Sequence, residues 1–140
     1  MPISLEYLAG YFDGEGCICF LNKPDHKYAQ LSVQIGSADR ATLELFADFF
    51  GGVVKADPAS SGKRLIWRWG LYTAKAQAAL RTLLPYLIAK RPAAELALQV
   101  TYETKKGVPL SSEEVVTRAR VARAVREFNQ RVDSPDQLSS

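Results

Sequence analysis

Two carboxylates, Asp13 and Glu15, stand two residues apart, with Gly14 between them and Gly16 directly after. Acids crowded in this way suit a divalent cation, whose preferred ligands are carboxylate and carbonyl oxygens. The residues before them must position that site, and they read as a helix. Ser4 can cap it, Leu5, Leu8, Ala9 and Phe12 fall at helical spacing, and Tyr7, Gly10, Tyr11 and Gly14 form a second face. The acids then sit where the helix dipole is negative and disfavours them, so something positive must compensate. Gly10 and Gly14 are equally unusual. Each costs about 1 kcal/mol relative to alanine in a helix, and their four-residue spacing marks a face where another backbone comes very close.

The other residues capable of chemistry are few. Cys17 and Cys19 are too close in sequence for an ordinary disulfide and lack the partners of a zinc site, which implies a reducing, intracellular setting. The sequence shows no secretory signal pattern and no run of membrane-spanning length. Charge is distributed unevenly. Residues 1–15 hold three acids and no base, residues 16–104 hold eleven bases against seven acids, and residues 105–131 hold seven against three. An acidic element in a basic body suits a polyanion held around a metal.

With 140 residues and 47% hydrophobic content, the chain fits one domain. Its core spans 1–104; residues 105–140 form a linker and a basic C-terminal helix with a frayed tail, part of the same domain. Cys17 to Lys23 reads as a strand with Ile18 and Phe20 inward, ended by Pro24-Asp25. Tyr28 to Gly36 alternates clearly, with Ala29, Leu31, Val33 and Ile35 on one face and Tyr28, Gln30, Ser32 and Gln34 on the other. That second face is rich in hydrogen-bonding groups of the kinds that read base edges, although a merely solvated sheet would alternate in the same way.

Ser37 or Asp39 caps the next helix, which carries Leu43, Phe46, Ala47 and Phe50 inward and closes at Gly51-Gly52. Val53 to Ala56 and Arg64 to Tyr72 form two more strands; Arg64 and Arg68 flank Trp67 and Trp69, whose faces the sequence does not assign. Thr73 caps a helix over 74–84 with Ala76, Ala79, Leu80 and Leu83 inward, stopped by Pro85. Lys90 and Arg91 lie at a bend, and a further helix runs from Ala93 to Glu103. Ser111 and Glu114 form a capping box for the last helix, with Val115, Ala119, Ala122, Val125 and Phe128 on one side and five arginines spread over the rest.

The stretch Leu8-Ala-Gly-Tyr-Phe-Asp-Gly-Glu-Gly16 resembles the LAGLIDADG motif of homing endonucleases, and the likeness extends to Lys23-Pro24, to the alternating strand and to Pro85-Tyr-Leu-Ile-Ala-Lys-Arg91. The resemblance implies an α+β, αββαββα fold with an antiparallel DNA-binding saddle sheet and additional C-terminal helices. A single motif copy implies a homodimer, joined through Tyr7, Gly10, Tyr11, Asp13 and Gly14. It implies a Mg²⁺-dependent endonuclease that cuts double-stranded DNA across the minor groove at a long pseudo-palindromic target and promotes intron mobility. Mn²⁺ would substitute, and Ca²⁺ would support binding without cleavage. Glu15 and Gly14 would hold the metal, with Asp13 orienting the turn; Lys90, Ser37 and Arg40 would complete the catalytic set. Lys23, Tyr28, Gln30, Ser32, Gln34, Arg64 and Arg68 would contact DNA. Such a protein belongs in a bacterial or phage-host cytoplasm, or in an organelle, and not at a membrane. The competing reading is a DNA- or RNA-binding protein of this fold that no longer cleaves, such as an intron maturase or a regulator; the presence of Glu15 and Lys90 argues against it.

Overall fold

The computed structural model describes residues 3–22, 28–58, 65–102 and 109–133. Helix α1 (Leu5–Glu15) runs straight into strand β1 (Gly16–Leu21), followed by β2 (Gln30–Ser37), α2 (Arg40–Phe50), β3 (Val54–Ala56), β4 (Trp67–Tyr72), α3 (Thr73–Leu83), α4 (Arg91–Ala97) and α5 (Ser112–Asp133). The four strands form one antiparallel sheet in the order β1-β2-β4-β3. This is the αββαββα arrangement with additional C-terminal helices. Among the described residues no helix is long and apolar enough to cross a membrane.

The alternation of β2 decides which side of the sheet is dry. Leu31, Val33 and Ile35 are buried, together with Ile18 of β1 and Trp69 and Leu71 of β4. Leu8, Ala9 and Phe12 of α1, Leu43 and Phe46 of α2, and Ala76, Ala79, Leu80 and Leu83 of α3 belong to the same core. Removing a side chain such as Leu8 or Phe12 from water stabilises the fold by about 1.5–3 kcal/mol each. The two tryptophans share the inner face: Trp69 lies against Phe46, with ring centroids 5.1 Å apart, and its Nε1 donates to the Gly51 carbonyl at 2.8 Å. Gly51 and Gly52 carry φ of 88° and 90°, a backbone that side chains rarely adopt, so the pair closes α2 as expected.

The helix ends show where local signals prevail. Ser4 caps α1 through the Tyr7 amide at 3.1 Å, and Asp39, not Ser37, caps α2. Thr73 is no cap: Tyr72 holds that position without a side-chain bond, and Thr73 is the first helical residue, at φ 48°. The capping box of α5 is half made. Ser111 Oγ accepts from the Glu114 amide, but the Glu114 carboxylate is directed to the Thr101 amide at 2.7 Å instead.

Two expectations for the C-terminal part fail for one reason, buried polar side chains. The helix expected over 93–103 stops at Ala97 because the buried Gln77 amide donates to the carbonyls of Ala97 and Val100, at 3.1 and 2.7 Å. The buried stripe of α5 contains Arg118, Val121 and Val125, with Phe128 packed beside it, and so lies about one residue off the expected one. Arg118 can enter the core because its guanidinium is engaged at Nε, at Nη2 and over a ring face. It pairs with Glu114 at 3.2 Å, donates to the Thr101 carbonyl and lies 4.5 Å from the centre of the Tyr102 ring. Helix α5 is further fixed to the edge of the sheet by Asn129, whose amide donates to the Ile18 carbonyl at 2.9 Å. The expected linker lies mostly, and the frayed tail largely, outside the described residues.

Arg118→Ala should destabilise the fold by about 3 kcal/mol in denaturant unfolding, because the partly buried Glu114 loses its counter-charge and the Thr101 carbonyl its donor. Adding Glu114→Ala should cost less than the sum of the two single changes, since they remove one interaction.

Candidate active site and nucleic-acid face

The acidic end of α1 is where helix, sheet and the α3–α4 bend converge. Helix α1 reaches the sheet without a loop, which requires Gly16: a Cβ there would lie 2.3 Å from the Phe12 ring and 2.8 Å from the Phe12 carbonyl oxygen. Phe12 is buried at the centre of the core, so it cannot move aside. The chain therefore leaves α1 directly as a strand and holds Glu15 at the rim. Glu15 is exposed and has no hydrogen bond or ion pair among the described residues.

Asp13 has a different role. Its carboxylate accepts from the amides of Ile88, Ala89 and Lys90 at 2.7, 3.0 and 2.9 Å, and its own carbonyl accepts from Lys90 Nζ at 2.6 Å. After Pro85 breaks α3 and a 3₁₀ turn over Leu84–Tyr86, the chain reaches Lys90, the N-cap residue of α4. Three free amides point at one carboxylate there, and Lys90 returns its charge to the negative end of α1. This is the positive partner that the misplaced acids required. Burial of Asp13 opposes its ionisation, but the backbone bonds of Lys90, Ile88 and Ala89 and the Lys90 charge outweigh that and hold the carboxyl below its usual value.

The other expected site residues divide. Ser37 lies next to α1, its Oγ accepting from the Tyr11 hydroxyl at 2.9 Å and from the Asp39 amide at 3.0 Å. Arg40 is drawn elsewhere: it pairs with Glu44 at 3.2 Å and lies 4.3 Å from the centre of the Trp67 ring. Of the face assigned to a dimer, Tyr7, Gly10 and Gly14 are exposed, and a Cβ at either glycine would meet nothing within 4 Å. Tyr11, by contrast, turns into its own core against Phe46, at 5.9 Å between centroids, and the Asp13 carboxylate is engaged inside the chain. Among the described residues no three His, Cys, Asp or Glu side chains group to hold a metal. Glu15 and the Gly14 carbonyl are nevertheless hard oxygen donors of the type Mg²⁺ takes, one carboxylate at a time.

The outer face of the sheet is polar. Alternation places Cys17 and Cys19, Gln30, Ser32 and Gln34, Arg68 and Tyr72, and Lys55 on it, in a register that sets Cys17 opposite Gln34 and Gly70, and Cys19 opposite Ser32 and Tyr72. Ser32, expected to contact DNA directly, is fully buried and accepts from the Gln34 amide at 2.7 Å, so it orients Gln34. The Gln30 amide donates to the Tyr28 carbonyl at 3.3 Å. Arg68 pairs with Asp57 at 2.6 Å but stays half exposed. Lys23 and Arg64 lie outside the described residues. Sequence reasoning missed Tyr72 and Lys55; the period of two, continued from Arg68 to Tyr72 and carried across the register, could have found Tyr72. The Cys19 thiol is pushed up, first by its contact with the Cys17 thiol and then by burial, so it stays protonated.

No protein-family model matches the sequence, and no curated protein does either. Solved structures do. Homing endonuclease I-CvuI, in complex with its target, matches with a TM-score of 0.68 at 24% identity over 89% of this chain and 80% of that one. Homing endonuclease I-TnaI matches with 0.61 at 16% identity over 94% and 99%. LAGLIDADG homing endonuclease I-GzeII, in complex with a DNA target, matches with 0.61 at 19% identity over 89% of this chain and 44% of that one. The chain therefore has the LAGLIDADG homing endonuclease fold. It carries one motif and one unit of that fold, nearly the whole length of I-TnaI and under half that of I-GzeII.

Asp13→Asn should lower stability by about 1–2 kcal/mol at pH 7, the scale of losing a charged cap. The pH dependence has a definite sign. A carboxyl depressed in the folded state stabilises it above the unfolded pKa, near 4, and that contribution disappears as pH falls through the folded value. Acid unfolding of the wild type below about pH 4 should therefore be steeper than that of Asp13→Asn, followed by circular dichroism.

Proposed function

We propose that this chain is a single-motif LAGLIDADG homing endonuclease: a homodimer that cleaves both strands of a long, pseudo-palindromic DNA target across the minor groove with Mg²⁺ and so promotes intron mobility. The observation that carries the reading is the Glu15 carboxylate, exposed and without a partner among the described residues in a fold shared with DNA-bound endonucleases. One chain offers a single such acid, and the open Gly10–Gly14 face lets a second α1 approach until its Glu15 stands beside the first.

Glu15 and the Gly14 carbonyl would hold the metal. When bound, the metal makes water a nucleophile at neutral pH and stabilises charge on the scissile phosphate and leaving oxygen. Asp13 does not ligate; it fixes the α3–α4 bend against α1. That keeps the Lys90 ammonium at the same helix end, where it can also donate to a phosphate oxygen. Ser37 supports α1 through Tyr11. Gln30, Gln34, Tyr28 and Arg68 present donors and acceptors to base edges and phosphates from the sheet. An intracellular site of action, in a bacterial or phage-host cytoplasm or an organelle, accords with this role.

Glu15→Gln should keep DNA binding in Ca²⁺ while strand cleavage in Mg²⁺ or Mn²⁺ disappears, read by gel shift and nicking of the intron-insertion sequence. Full cleavage by that variant would remove Glu15 from the metal, and wild-type binding without cleavage would favour a maturase or regulator instead. The dimer has its own test. Gly10→Leu with Gly14→Leu should leave a folded chain, because neither side chain meets anything within it, but sedimentation should change from dimer to monomer.

A further inference from the structure

The five arginines of α5 look alike in sequence, and the fold sorts them. Arg118 is buried on Glu114 and the Thr101 carbonyl, and Arg120 donates to Gln99 at 2.8 Å. Arg131 is exposed in the last turn. Arg123 and Arg126 have no hydrogen bond or ion pair among the described residues, and both line a cleft of about 300 Å³ between α5 and residues Asn22, Tyr28 and Ala29. Asn22 and Tyr28 form its opposite wall, Ala119 and Ala122 keep its helix side shallow, and none of its described lining residues is acidic.

Two adjacent guanidiniums in a concave site without a counter-charge repel each other, and an anion relieves that. Arg118, fixed on Glu114 and the Thr101 carbonyl, gives the cleft a rigid part of its lining, and Asn129 ties α5 to the Ile18 carbonyl of β1. Tyr28 and Ala29 of its lining lead directly into β2, whose outer face carries Gln30 and Gln34, so a backbone that follows this face past Tyr28 meets the cleft. We infer that Arg123 and Arg126, with Asn22, form a phosphate clamp that grips the DNA backbone beyond the stretch covered by the sheet. The inference rests on the endonuclease reading and deepens it, and it gives α5 a part in binding that adds affinity without reading sequence.

The test needs no knowledge of the target. Binding of the full chain to a 40-bp duplex of arbitrary sequence is measured against salt concentration in Ca²⁺. Arg123→Gln with Arg126→Gln should lower the slope of log K against log salt by about one unit or more, because each phosphate neutralised contributes about 0.9. Arg123→Lys with Arg126→Lys should keep most of the slope, and Arg131→Gln all of it. An unchanged slope in the double glutamine variant, with wild-type binding intact and an unchanged thermal midpoint, would overturn the clamp alone. A wild-type chain that binds no duplex would overturn the endonuclease reading together with it.

Discussion

The contact on which the rest of this molecule depends is that between Asp13 and the backbone of residues 88–90. A carboxylate at the C-terminal end of a helix is unfavourable by itself, and three amides approaching a helix start without a side-chain cap are equally so. Each defect resolves the other across 75–77 residues of sequence, at 2.7–3.0 Å. Lys90 closes the arrangement by placing its ammonium on the Asp13 carbonyl. The result is a rigid corner between α1, the α3–α4 bend and the first strand, with Glu15 projecting from it.

That corner explains how the motif divides its work. Phe12 anchors the helix in the core, Gly16 lets the strand begin beneath the Phe12 ring, and Asp13 secures the bend. Gly10 and Gly14 do nothing inside the chain, where space around them is open. Their cost to the helix of about 1 kcal/mol each has no return within one copy. In the proposed homodimer a partner helix packed on this face would supply one, and the same approach would double the single Glu15. On that proposal interface and metal site are one constraint, expressed on adjacent faces of one helix.

Much of this was legible in the residues. The order of helices and strands, the inward faces of β2, α2 and α3 and the glycine stop of α2 all follow from periodicity and capping chemistry. The failures cluster where a polar side chain is buried with its partners. Gln77 ends α4 early, Arg118 rotates the buried stripe of α5, Glu114 leaves its capping box for Thr101, and Ser32 lies beneath Gln34. Local patterning assigns polar residues to solvent, because an isolated buried polar group costs several kcal/mol. Only distant carbonyls and carboxylates make those exceptions stable.

The sequence by itself determined the helix that ends in acid, the two glycines that it tolerates, the dry face of the sheet and the likeness of its motif, since each depends on neighbours within a few residues. Tertiary structure alone decided where Lys90 meets Asp13, that Trp67 and Trp69 face inward, that Tyr11 turns into the core, and which of five similar arginines find partners among the described residues. Those outcomes depend on groups brought together from 17 to 77 residues apart. No local pattern encodes which buried donor meets which acceptor, because hydrogen bonds and charge pairs are fixed by distances that exist only after the core has closed.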